Sequence, residues 1–147
     1  MGGNRNSGKE FLDEIREINS LIQSLKEQIA IEESRLTDTA VHYKEIQVQS
    51  SGSRNMMEEK IPKIADLTSQ LEEHIRKLTA KQDLAWAIIR ELRPRMQTVM
   101  LRYYIQGKTL EQIAEEMGKS YRWAWSVKRE AVEKFSNIFE KIENVVD

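Results

Sequence analysis

Cysteine is missing from this chain of 147 residues, which excludes a disulfide framework, a thiolate metal site and a thiol nucleophile. Only two histidines occur, His42 and His74, and neither has a second ligand at metal spacing. Glycine-rich phosphate loops and nucleophile motifs are absent as well. Acidic pairs such as Glu32-Glu33, Glu58-Glu59, Glu72-Glu73 and Glu115-Glu116 read as solvated helix faces. No catalytic residue, metal or cofactor is therefore expected, and the protein is expected not to be an enzyme. No apolar run approaches the roughly 20 residues that span a bilayer, and no signal peptide is visible. A cytoplasmic protein with no membrane partner is expected.

Hydrophobic residues make up 39% of the chain and charged residues 32%, enough for thin helical seams but not for a thick core. The net charge of −1 hides a split. Residues 9–92 hold 12 Lys/Arg against 16 Asp/Glu, whereas residues 93–136 hold 9 against 5. Only the second stretch has the sign that a polyanion binder needs.

Proline and glycine are scarce, and beyond the N-terminal tail they stand only at Gly52, Pro62, Pro94, Gly107 and Gly118. The intervals between them are candidate helices. Ser7 followed by Glu10 resembles a capping box that starts a helix near Gly8. From there Phe11, Ile15, Ile18, Ile22, Leu25, Ile29, Leu36, Tyr43 and Ile46 keep the alternating four-three spacing of a heptad seam, with Glu32 and Thr39 as interruptions. Pro62 fits the first turn of a second helix. Its seam runs Ile64, Leu67, Leu71, Leu78, Ala85, Ile88 and Leu92, with His74 and Lys81 as polar breaks. Ile61, Ile75 and Ile89 widen that stripe on one side.

Each arm would be roughly 50 Å long at 1.5 Å per residue. A polar connection containing Ser50-Ser51-Gly52-Ser53-Arg54-Asn55 joins them, and matched helices so joined give an antiparallel hairpin. A parallel dimeric coiled coil is the competing arrangement. A two-helix seam is thin, so self-association as a homodimer or packing on the C-terminal segment should support it.

Pro94 starts a new helix through Gln106, which Gly107 ends. Thr109 with Gln112 forms a capping box for a helix over 110–117, presenting Leu110, Ile113, Ala114 and Met117 to a core. Gly118 turns the chain and Ser120 caps the next helix. Two short helices across a tight turn form a helix-turn-helix, whose second member lies in the DNA major groove.

On a wheel of 100° per residue, Ala124, Val127, Ala131 and Phe135 face the core, while Arg122, Ser126 and Arg129 lie opposite, with Tyr121 and Trp125 on one flank. Tyr121, Arg122, Trp125, Ser126 and Arg129 are the candidate base readers, the arginines for guanine and the aromatics for a thymine methyl. Thr109, Lys119, Ser120 and Lys128 are the candidate phosphate contacts. Trp123 is expected to pack against a neighbouring helix, and Trp125 is divided between DNA and a protein partner. The tail beyond Phe135 adds Ile138, Phe139, Ile142, Val145 and Val146. This amphipathic stripe could dock on the hairpin, on a partner or on a second subunit, and dimerisation is the favoured role.

Leu101-Arg102-Tyr103-Tyr104, Gly107 to Ala114, Ser120-Tyr121-Arg122-Trp123-Ala124, Ala131 and Phe135 together resemble region 4 of bacterial sigma factors. Over residues 9–136 the chain also resembles phage and prophage proteins of Gram-positive hosts related to the ArpU-type late-gene transcriptional regulators. The resemblance implies double-stranded DNA as partner, contact with bacterial RNA polymerase, and a location in the bacterial host cytoplasm. Two departures, Ala124 for a larger valine and Trp125 for a smaller polar residue, bear on base preference rather than on fold.

The expected fold is all-α: a long antiparallel coiled-coil helical hairpin followed by a sigma region 4-like helix-turn-helix. The expected divisions are a flexible tail over 1–8, a hairpin over 9–93 with its loop at about 47–60, a helix-turn-helix domain over 94–136, and a helix extension over 137–147. The expected function is sequence-specific DNA binding in transcription regulation. The alternative is a protein-interaction module whose hairpin binds or inhibits a host or phage protein.

Overall fold

A computed structural model describes residues 7–45 and 51–146, with side-chain surroundings for 7–37 and 58–144. Helices α1 (Ser7–Glu45), α2 (Ser51–Ile89), α3 (Pro94–Met100), α4 (Leu110–Met117) and α5 (Tyr121–Val146) follow in order, with a π-helical turn at Leu101–Ile105. No strand occurs among the described residues, and no helix among them is long and apolar enough to cross a membrane. The chain forms two compact units, one from residues up to Ser20 together with those from Leu78 onward, the other from Leu21–Lys77. The expected boundary at 93/94 does not coincide with this division, because the first turns of α1 and the last of α2 belong with α3, α4 and α5.

In the unit of residues 21–77, Ile22 and Leu25 are buried, while Ile29, Leu36, Ile64, Leu67 and Leu71 are half-buried, as a seam between only two rods allows. Glu32 is the exception to the solvated reading of acidic pairs, with 0% of its surface exposed. Lys60 Nζ lies 2.6 Å from its Oε2, and Lys63 Nζ lies 3.1 Å from its Oε1. Arg35 (3.3 Å) and Gln28 (3.1 Å) complete the set around Oε1. A buried carboxylate needs such neighbours to stay charged. The hydrogen bond from Lys60, then that from Lys63, holds its pKa down at about 2 against burial's opposing push. In the other unit Glu14 Oε2 meets Lys81 Nζ at 3.2 Å. Each unit thus joins α1 to α2 by its own ion pairs, as a helical hairpin requires.

Four local expectations change. α2 starts at Ser51, so residues 51–60 are helical rather than loop, and Pro62 lies inside the helix rather than in its first turn. The helix formers Met56, Met57, Glu58, Glu59 and Lys60 favour this extension, although Pro62 brings no N–H for the carbonyl of Glu58. Ile46 of the expected seam, residues 47–50 of the expected loop, residues 1–6 of the expected tail and the side chain of His42 lie outside what is described. Ser7 is already helical, and its buried Oγ makes no hydrogen bond, so the Ser7–Glu10 capping box does not form.

The fourth change is the π-helical turn that follows α3. Gln106 N–H donates to the carbonyl of Leu101 and Lys108 N–H to that of Arg102, both at 2.9 Å, so the turn is wider than α-helix allows. It drives Tyr104 wholly inward while Tyr103 stays half-buried, the two rings meeting edge to face at 4.8 Å. The Tyr104 hydroxyl has no hydrogen-bond partner, and burial pushes its pKa above the ordinary phenol range.

Around Tyr104, the unit with the helix-turn-helix buries Leu12, Ile15, Ile88, Ile89, Met96, Val99, Met100, Ile113 and Phe135. The extension beyond Phe135 continues α5 and docks on the start of α1: Phe139 is buried and stacks on Phe11 at 4.9 Å. This corrects the favoured dimerisation role as far as Phe139, because that apolar face is already filled from within the molecule.

Candidate nucleic-acid interface

The helix-turn-helix is built by three local devices. Thr109 is extended (φ −80°, ψ 160°) and caps α4 reciprocally with Gln112. Its Oγ1 accepts from Gln112 N at 3.1 Å, and Gln112 Oε1 accepts from Thr109 N at 2.9 Å. Gly118 closes α4 in the left-handed region at φ +64°, and Lys119 N–H reaches back to the carbonyl of Ala114 at 2.9 Å. Ser120 Oγ then accepts from Trp123 N at 3.1 Å and opens α5. Leu110, Ile113 and Ala114 are buried on α4, as are Ala124, Val127, Ala131 and Phe135 on α5.

The opposite side of α5 faces out. Tyr121 is 50% exposed and Trp125 44%; Arg122, Ser126 and Arg129 are exposed too. The Arg129 guanidinium stands 5.4 Å from the Trp125 ring centre, which pre-positions both groups. Trp125, Ser126 and Arg129 share one shallow groove with Glu130 and Glu133. Tyr121 shares another with Thr109, Arg16, Tyr103, Leu110 and Glu111. Four of the five candidate base readers therefore divide between these two grooves, and Arg122 lies in neither.

The four candidate phosphate contacts differ in how much they have left to offer. The Thr109 and Ser120 oxygens accept backbone N–H groups, so each hydroxyl proton can still be donated outward. Lys119 is exposed, its ammonium 5.7 Å from the Trp123 ring. Lys128 is half-buried, its ammonium 4.2 Å from the centre of Tyr103. Trp123 is also half-buried, in keeping with its expected packing.

Internal pairing decides which cations remain. Glu116 binds Lys108 at 2.7 Å and Arg102 at 2.9 Å; the Lys108 hydrogen bond is the main cause of its lowered pKa. Lys134 pairs with Glu130 at 3.6 Å. Within 93–136 this leaves Arg93, Arg95, Lys119, Arg122, Lys128 and Arg129 without a carboxylate partner among the described residues. Much of the positive excess is thus available to a polyanion.

Two residues beyond the sequence-derived set shape the site. Arg16 of α1 donates through Nη1 to the carbonyls of Tyr103 and Lys108, the latter at 3.1 Å, and lies 3.9 Å over the Tyr103 ring. It ties α1 to the turn before α4. Lys9, also on α1, joins Trp125, Lys128, Arg129 and Val132 around a groove. Neither carries a motif, since each is one more charge beside a heptad seam. Among the described residues no group of three or more His, Cys, Asp or Glu side chains is placed to hold a metal ion.

A family model described as Sigma-70, region 4 matches residues 82–124. The match runs from the end of α2 into the first turn of α5, and so includes Tyr121 and Arg122 but not Trp125, Ser126 or Arg129. This stretch is similar to region 4, and the likeness supports a DNA-binding regulatory role. No curated protein and no solved structure matches the chain.

Proposed function

We propose that this protein is a sequence-specific DNA-binding transcriptional regulator of phage origin, acting in the cytoplasm of a bacterial host. The observation that carries the reading is the outward face of α5, where Arg122 and Arg129 stand exposed beside two exposed aromatic rings on a capped helix-turn-helix. Affinity comes from phosphate neutralisation by Lys119 and Lys128 with the Thr109 and Ser120 hydroxyls, and sequence choice from Arg122, Arg129, Tyr121, Trp125 and Ser126. The likeness to region 4 supports RNA polymerase as a second partner. The hairpin supplies an assembly surface for a homodimer.

Selection of the full-length chain on random duplexes, followed by titration of the winning sequence at several salt concentrations, tests this. Arg122→Ala is expected to cost about 1–3 kcal/mol on the selected site and to relax preference at one position. Lys119→Ala should weaken all duplexes alike and flatten the salt dependence. Unchanged affinity of Arg122→Ala for the selected site would remove its base-reading role.

A second reading, a hairpin that binds or inhibits a protein, is favoured by the exposed apolar residues of the 21–77 unit, Leu21, Ile31, Ile61 and Ile75, which are 40–55% exposed. Association through such side chains barely responds to salt, whereas duplex binding weakens steeply. Salt titration therefore separates the two readings.

A further inference from the structure

The outward stripe of α5 does not end on α5. Residues 125, 129, 132 and 136 follow at helical spacings that share one side. At the far end, Ser136 is buried against Gly8 of α1. A Cβ placed on Gly8 would lie 2.6 Å from the Ser136 Cα. The first turn of α1 therefore crosses the stripe directly, and the next residue, Lys9, closes a groove with Trp125, Lys128, Arg129 and Val132. That groove carries three cations and no carboxylate. The adjoining groove, which shares Lys9 and Arg129, adds Glu133 and Glu140. The groove beyond Trp125 and Arg129 likewise adds Glu130 and Glu133, so of these three adjoining grooves the one between Lys9 and Trp125 is lined by cations without a carboxylate.

Resting on the DNA-binding reading above, we infer that Lys9 is a further phosphate-binding residue and that the duplex backbone lies in a groove built jointly by α1 and α5. A sugar-phosphate strand fits this chemistry. Lys9 and Lys128 meet its charge and Val132 supplies apolar surface for deoxyribose, along the edge from which Trp125 and Arg129 reach toward the bases. Lys9 is ready for exchange, since its present partner Asp13, at 3.1 Å, is a solvent-exposed carboxylate one turn on, a pairing worth little in water. The recognition helix thereby gains a contact from a segment far away in sequence, outside the helix-turn-helix.

The test uses the full-length chain, fluorescence anisotropy, and both the selected and an unrelated duplex between 50 and 200 mM salt. Lys9→Gln should weaken both duplexes by the same factor and reduce the slope of log affinity against log salt by about 0.9. The advantage of the wild type over this variant should then shrink about threefold across that range. Lys9→Arg should keep the slope, and Asp13→Asn should tighten binding to both duplexes. Lys141→Gln, an exposed lysine of α5 outside the groove, reports the effect of net charge alone. If Lys9→Gln behaves no differently from Lys141→Gln while Arg122→Ala still loses the selected site, the joint groove is refuted and the DNA-binding reading stands. If the wild type shows no salt-dependent duplex binding, both fall.

Discussion

Replacing Gly8 by alanine sets two opposing effects against each other, and the structure decides the sign. Helix propensity alone favours alanine over glycine by about 1 kcal/mol. The new Cβ, however, would meet Ser136 Cα at 2.6 Å, Oγ at 2.7 Å and Cβ at 3.0 Å. The hydroxyl can rotate away, but the Cα is backbone of α5 and cannot. Reaching an ordinary carbon–carbon separation of about 3.5–4.0 Å requires the two helices to part by roughly 1 Å. That shift pulls on Leu12 and Ile15, both fully buried, and on the Phe11 ring stacked over Phe139. Overpacking of this kind costs about 1–3 kcal/mol. The net is a loss of about 1 kcal/mol, or about 2–4 °C in Tm for a chain of this size. Thermal unfolding followed by circular dichroism measures it. Ser136→Gly in the same chain takes away the obstructing side chain but leaves the backbone carbon where it is and adds glycine's own penalty inside α5, so the double variant should still melt below the wild type. A Gly8→Ala protein that melts above the wild type would refute the reasoning, because propensity would then outweigh the crossing.

Three other outcomes are expected. Tyr104→Phe should raise the melting temperature, since it removes a buried hydroxyl that has no partner and whose desolvation costs about 1–3 kcal/mol; a lower value would mean that the hydroxyl is satisfied. Because the pKa of Glu32 is held at about 2, below the ordinary carboxylate value, its ionised form stabilises the fold above about pH 4.5, and that contribution disappears as pH falls toward 2. Comparing melts of wild type and Glu32→Gln across this window checks it, and a difference independent of pH would defeat it. Gly118→Ala meets open space but must hold φ +64°, so it should cost about 1 kcal/mol through backbone strain alone. Gly118→Asn should recover part of that loss, and equal melting of the two variants would contradict the assignment.

The parts legible in the sequence were those set by local chemistry. Thr109 with Gln112, Gly118 and Ser120 act within three or four residues of themselves, so their roles follow from spacing alone. The inward set Ala124, Val127, Ala131 and Phe135 was equally readable, because helical period fixes which residues share a side. Less visible was whatever depends on a distant partner. Glu32 reads as a surface acid until Lys60 and Lys63 are brought to it across the hairpin. Lys9 and Arg16 look like solvated charges until α1 is laid beside α5 and the turn before α4. The π-helical turn escaped for a related reason: its widened hydrogen bonds accompany the seating of Tyr104 in the core, which no pattern of apolar residues announces. The helical start of α2 escaped because Ser-Gly-Ser reads as loop while the methionines and charges that follow favour helix. The likeness to region 4 ends in the first turn of α5, just where base preference would be written.

The stacking of Phe11 on Phe139 has a consequence for the order in which the chain matures on the ribosome. The unit that houses the helix-turn-helix takes one wall from the earliest part of the sequence and another from nearly the last, with residues 21–77 inserted between. During synthesis the inserted arm can pair as soon as it emerges, because its contacts are internal to it. Its neighbour must wait, holding Phe11 without its stacking partner until the end of α5 is made, since closing so long a loop precedes any gain from the contacts. A product released early would therefore keep the arm but leave α5 without its brace.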